Sequence, residues 1–190
     1  CDHYQTQFIT DLGGPSIHDM FGVTMDGAIL HYIEQMDLCI STTPGGTVIN
    51  PGIGCFTYDY GTTVTLNSIP DEHWYFTGWT GDTGSIADPS SAETTITIDG
   101  EYTIQASFAP IMYTLTTSSS LGGKMIDPGT GEFIYQEGTI VNIAAGPTSC
   151  GYEFVQWTGS GVDAGKVADP NSPTTTITMD SNYTVEAQFS

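Results

Sequence analysis

Side chains able to do chemistry are few in this chain and scattered. A Ser-His-Asp or Cys-His set needs a histidine held against its nucleophile. Within the two repeated segments described below, only His73 offers one, and the matching position of the second segment is Gly151. A catalytic role common to both is excluded, and His73 is expected at an exposed strand edge. The paired carboxylates of glycoside hydrolysis would have to come from Asp and Glu residues lying in turn-like stretches. Asp88 and Asp169 recur, each before a proline. That is where a turn uses a carboxylate to accept backbone N–H groups; calcium ligation is the alternative, although no EF-hand or nonapeptide pattern is present. Cys1-Asp2-His3 has the order in which a free amino terminus and a third-position histidine wrap Cu(II) or Ni(II). The plain reading is an ordinary tail, in which His3 binds nothing. The sequence therefore predicts no enzyme, no catalytic residue and no resident cofactor.

Composition narrows the partners. Over 190 residues there are 22 Asp plus Glu against 2 Lys plus Arg, a formal net charge of −20. Lys124 and Lys166 are the two bases. Reading nucleic-acid phosphates needs a Lys/Arg footprint, and docking on anionic lipid needs a polybasic patch; both are excluded. No window approaches the roughly 18 apolar residues of a membrane span. The chain opens on Cys1 rather than Met, so removal of an upstream segment is expected, with a signal peptidase the usual agent. Four cysteines, Cys1, Cys39, Cys55 and Cys150, form an even set that allows two disulfides in three connectivities. Free buried thiols, or a lipid on Cys1, are the alternatives. An extracellular or cell-surface location follows from these features taken together.

Internal repetition organises most of the chain. In the segment 36–108 the order is Gly45-Gly46, Pro51-Gly52, Gly54, Phe56, Tyr58, Gly61-Thr62 and Val64. The segment 112–190 answers with Gly122-Gly123, Pro128-Gly129, Gly131, Phe133, Tyr135, Gly138-Thr139 and Val141. Next come Phe76 and Trp79-Thr80-Gly81, matched by Phe154 and Trp157-Thr158-Gly159. Each copy closes with Ala-Asp-Pro, a Thr-Thr-Ile-Thr run, and Tyr-Thr-x-x-Ala-x-Phe. Period-two alternation puts Tyr102, Ile104, Ala106 and Phe108 on one face of a strand, and Tyr183, Val185, Ala187 and Phe189 on another. Asp99-Gly100 reads as a hairpin turn, and the Gly-Gly pairs are expected to turn the first hairpin of each copy. No amphipathic helix is evident. The expected fold is all-β: two tandem small β-rich repeat domains, 36–108 and 112–190, with an extended N-terminal arm over 1–35.

The ordered set Gly-Gly, Pro-Gly, aromatic pair before Gly-Thr-x-Val, Phe-x-x-Trp and Thr-rich close resembles the divergent branch of the internalin-type B-repeats, extracellular modules of bacteria and archaea. The resemblance covers both copies and leaves the arm unexplained. The first copy reads His73-Trp74-Tyr75-Phe76-Thr77-Gly78-Trp79 where the second reads Gly151-Tyr152-Glu153-Phe154-Val155-Gln156-Trp157. The second lacks the Gly before Trp, and the first lacks the family's Gly-Tyr entry. The resemblance implies a small β-grasp-related module, strung along secreted surface proteins as a non-catalytic spacer or protein-binding unit.

The remaining residues fit that picture. Trp79 and Trp157 recur and are expected in the cores. Trp74, aligned with Tyr152, is core or part of an exposed platform for stacking sugars. Asn182-Tyr183-Thr184 is a glycosylation sequon. In the arm, Ile17, Phe21, Val23, Met25, Ile29 and Leu30 carry an apolar surface that a lone hairpin cannot bury in water. It either folds back on its own chain or adds a strand to a neighbour. Head-to-tail repetition of the second contact builds a filament. The expected function is a structural or adhesive surface protein that self-associates through its arm; the alternative is an accessory module binding polysaccharide or other surface proteins.

Overall fold

The computed structural model describes residues 34–190. The arm residues Cys1, His3, Ile17, Phe21, Val23, Met25, Ile29 and Leu30 lie outside that range, and with them the question of metal binding by Cys1-Asp2-His3 and the arm's packing. The described residues divide into two compact units: 34–70 with Phe76–Phe108, and Asp71–Tyr75 with Ala109–Ser190.

In the first unit the strands are β1 (Gln35–Thr42), β2 (Gly46–Asn50), β3 (Gly54–Asp59), β4 (Thr63–Pro70), β5 (Trp74–Gly81), β6 (Glu93–Thr97) and β7 (Tyr102–Pro110). They form a four-stranded sheet in the order β3-β1-β7-β5 and a three-stranded sheet in the order β2-β4-β6. The second unit repeats this with β8 (Met112–Ser119), β9 (Gly123–Asp127), β10 (Gly131–Gln136), β11 (Ile140–Pro147), β12 (Phe154–Thr158), β13 (Thr174–Thr178) and β14 (Tyr183–Phe189). Its sheets run β10-β8-β14-β12 and β13-β11-β9. One short helix, α1 (Ser160–Asp163), follows β12. In each copy the first and last strands are parallel neighbours, β1 with β7 and β8 with β14. A parallel pair needs a long crossover, and here everything between the two strands of a copy supplies it.

Alternation along the strands builds the cores. Leu38, Ile40, Ile104, Ala106 and Phe108 from one sheet of the first unit, and Val48, Val64, Leu66 and Ile96 from the other, are buried. The second unit buries Leu115, Met125, Val141, Ile143, Trp157, Ile177, Val185 and Ala187 in one cluster. Full burial of a Leu, Ile or Val side chain stabilises by about 1.5–3 kcal/mol, so these rows dominate the folding energy.

Two turn expectations are corrected. The chain leaves β1 for β2 and β6 for β7 by crossing from one sheet to the other, so neither Gly45-Gly46 nor Asp99-Gly100 closes a hairpin ladder. Gly100 is not among the glycines of positive φ that such a turn would need. The second glycine of each Gly-Gly pair has a different duty. It opens the three-stranded sheet beneath an aromatic ring, so that a Cβ on Gly46 would meet Phe108, and one on Gly123 would meet Phe189.

Candidate functional site

The recurring Phe-x-x-Trp spacing conflicts with a period-two strand, which would send Phe154 and Trp157 to opposite faces. The conflict is resolved by a bulge. Phe154 pairs with Phe189 and Gln156 with Gln188, with the register slipping between them. An extra residue of this kind re-aims the side chain that follows, and both rings turn inward. Phe154 then lies 5.6 Å from Trp157 and 5.7 Å from Phe189. Phe76, Trp79 and Phe108 repeat the arrangement in the first unit at 5.8 and 5.7 Å.

Each tryptophan also holds the loop that follows its strand. The Trp157 backbone N–H donates to the Pro170 carbonyl at 2.7 Å, and its indole Nε1–H donates to the Ser172 carbonyl at 2.8 Å. Trp79 does the same to Pro89 at 2.7 Å and Ser91 at 3.0 Å. The Ala-Asp-Pro motif is the bend of this strap. Asp88 Oδ1 accepts the Ser90 N–H at 2.9 Å and the Ser90 hydroxyl at 2.6 Å. Those bonds hold its carboxyl below the usual carboxylate value. Asp169 Oδ1 accepts the Asn171 N–H at 2.9 Å. Both aspartates thus make turns, and among the described residues no group of three or more His, Cys, Asp or Glu side chains is placed to hold a metal ion. That the tryptophan and the Ala-Asp-Pro motif serve one another was not visible in the sequence, where seven residues separate them in the first copy and ten in the second.

Other candidates fall in separate places. His73 sits in the turn before β5 at φ 67, not on a strand edge, with the Glu72 carboxylate 3.6 Å away. Trp74 is half-buried and Tyr75 is 51% exposed. Tyr152 rests on Gly122, where a Cβ would strike its ring. Asn182 is exposed, but its Oδ1 accepts the Thr114 N–H at 2.8 Å, so the sequon residue ties β14 to the start of β8. Cys39 and Cys55 form a disulfide across directly opposed positions of β1 and β3. Cys150 is exposed and has no disulfide partner among the described residues; Cys1 lies outside them.

A second recurring constellation joins the closing turn to the last strand. The Tyr183 hydroxyl donates to Asp180 Oδ1 at 2.5 Å, and Lys166 forms an ion pair with the same carboxylate. In the first unit Asp99 Oδ1 accepts from Tyr102 and, at 2.9 Å, from the Ser85 hydroxyl. Tyr183 is buried and the other groups are half-buried or exposed, and together they brace the turn.

Sheet edges remain as surfaces with unspent hydrogen-bonding capacity. Of each three-stranded sheet, one flank is closed by the strap through the bridges Ile86–Ile96 and Val167–Ile177. The other flank is β2 or β9, each paired on one side alone among the described residues. Exposed Ile49 and Ile126 stand at matching places on these two strands, at 54% and 61%.

The family model described as "Divergent InlB B-repeat domain" matches residues 36–112 and again 113–190. No curated protein matches the chain.

Proposed function

The chain belongs to the divergent InlB B-repeat domain family, matched twice in tandem, and on that premise we propose that it is a non-catalytic structural or adhesive protein of the cell surface. In this reading its subunits assemble head to tail, each arm adding a strand to a neighbour. The family consists of repeat modules of surface proteins and is not a known enzyme family. The Cys39–Cys55 disulfide belongs to an oxidising compartment, and no helix among the described residues is long and apolar enough to cross a membrane. One observation supports the assembly reading: among the described residues both units leave β2 and β9 with an unpaired flank, while the arm sequence holds apolar residues in strand-like order. Backbone pairing supplies affinity in such a contact, and alternate side chains supply specificity. The test is negative-stain microscopy of the whole chain beside a chain lacking residues 1–30. Fibres from the first and none from the second are expected; the same assembly from both overturns the reading.

A second reading, an accessory module for polysaccharide, draws on half-buried Trp74 beside exposed Tyr75. Glycan binding lost on Trp74→Ala would favour it over the first.

A further inference from the structure

The second unit has three strands facing four, and the shortfall is on one side. β9 packs against β8 and β14, while β11 meets β12, so β10 lies beyond the covered part of the larger sheet. Register places Phe133 opposite Leu115 and Tyr135 opposite Tyr113, on the face that looks into the core. Both are nevertheless only half-buried, and Phe133 stands outside the core cluster. Next to them runs the open flank of β9. Among the described residues the fold therefore leaves a strand-sized place, with free backbone groups on one wall and uncovered aromatic surface beneath.

Charge marks this place further. Lys124 projects from β9 with no carboxylate partner among the described residues, whereas Lys166 is committed to Asp180. A lysine on a sheet edge ordinarily discourages pairing. In a chain of net charge −20 it does the reverse, because every approaching copy is acidic. The corresponding position on β2 is Thr47, so the first unit's edge lacks this attraction.

The arm supplies a matching segment. Residues 1–33 enter the described structure at Glu34, just before β1. Phe21, Val23 and Met25 alternate there with Gly22 and Thr24, and Asp26 follows on the polar side. We infer that the open edge of β9 accepts residues 21–26 of a second copy of the chain as an added antiparallel strand. With Asp26 opposite Lys124, Thr24 stands opposite exposed Ile126, and Met25 opposite buried Met125. Val23 and Met25 then face the side on which Phe133 and Tyr135 are uncovered. This inference rests on the assembly reading above and adds the acceptor, the register and the ion pair that selects it.

The test uses the whole chain with benzoylphenylalanine in place of Val23, as an equal mixture of isotopically light and heavy protein, irradiated and mapped by mass spectrometry. Mixed light–heavy cross-links to residues 124–127 or to Phe133 and Tyr135 are expected. Mixed cross-links falling on β2, β3 or β12 instead would overturn the acceptor and leave head-to-tail assembly standing. Cross-links confined to single chains would overturn assembly itself. Lys124→Glu, an exposed change that leaves the core intact, is expected to cut the mixed product about fivefold, with Asp26→Lys restoring it. A yield indifferent to both substitutions would overturn the register.

Discussion

The Trp157 backbone N–H meets the Pro170 carbonyl at 2.7 Å, while its indole reaches Ser172 two residues further on. One residue thus fills the core and fastens the strap whose Val167 closes the flank of β13. Trp157→Ala is expected to cost about 3–5 kcal/mol from the cavity alone. Trp157→Phe keeps most of the apolar volume but leaves the Ser172 carbonyl without its donor, for about 1–3 kcal/mol. Denaturant unfolding of both variants would check the order. A Trp157→Phe variant as stable as the native chain would mean that the indole bond contributes nothing.

The two glycines of Trp-Thr-Gly are set first of all against backbone carbonyls. Gly81 and Gly159 have φ 92 and 111. A Cβ at either would press on a carbonyl of the last strand, Thr103 or Thr184, the latter at 2.5 Å. Neither strand can withdraw without breaking the central parallel pair. Gly159→Ala is expected to lose at least about 1–3 kcal/mol, the cost of a non-glycine residue in strained backbone. Gly84, with nothing near its Cβ position and no positive φ, serves as the neutral control on thermal unfolding.

The disulfide exists in one copy only. Positions 39 and 55 of the first unit correspond to Thr116 and Glu132 of the second, opposed in the same way on β8 and β10. It joins neighbouring strands across a sequence separation of 16. Closing a loop of that length restricts the unfolded chain by about 3 kcal/mol. Reduction, or the Cys39→Ser/Cys55→Ser pair, is therefore expected to lower the unfolding midpoint, while Cys150→Ala leaves it unchanged. A midpoint unmoved by reductant would contradict this.

Much of the fold was legible because alternation and repetition are local signals. The rows of Ile104, Ala106 and Phe108, and of Val185 and Ala187, read inward from sequence and are buried. Connectivity was less legible. Asp99-Gly100 has hairpin chemistry, yet the same turn serves a chain that changes sheets, and only the pairing of β7 with β1 decides between them. The bulge before Trp157 was equally hidden, since the sequence shows a three-residue spacing without saying which residue is extra. The strap was missed because its bonds run to carbonyls of Pro170 and Ser172, and every residue has a carbonyl. The aspartates of Ala-Asp-Pro read correctly as turn formers because an Asx bend is made within three residues.

Stability should fall at both ends of the pH scale through the closing turns. Asp180 is held below the ordinary carboxylate value, first by Lys166 and then by the Tyr183 hydroxyl. Asp99 is lowered by Tyr102 and Ser85. A carboxyl depressed in the folded state gives stability that is complete above its unfolded value of about 3.9 and disappears as pH falls through the folded one. Tyr183 behaves in the opposite sense. Its hydrogen bond to Asp180 pushes its hydroxyl from 10.0 up to about 12. That raised group contributes fully below about pH 10 and loses its contribution as pH climbs toward 12. Tyr183→Phe removes the hydroxyl that loses its proton, so the alkaline decline in unfolding midpoint should become shallower. Asp180 simultaneously loses one of its donors, so its folded value moves back toward the unfolded one and the acid decline of the same variant should be shallower too. Thermal unfolding of the native chain and of Tyr183→Phe, scanned across both limbs, checks the pair of shifts together. An alkaline limb identical in the two proteins would show that the Tyr183–Asp180 bond does not brace the turn.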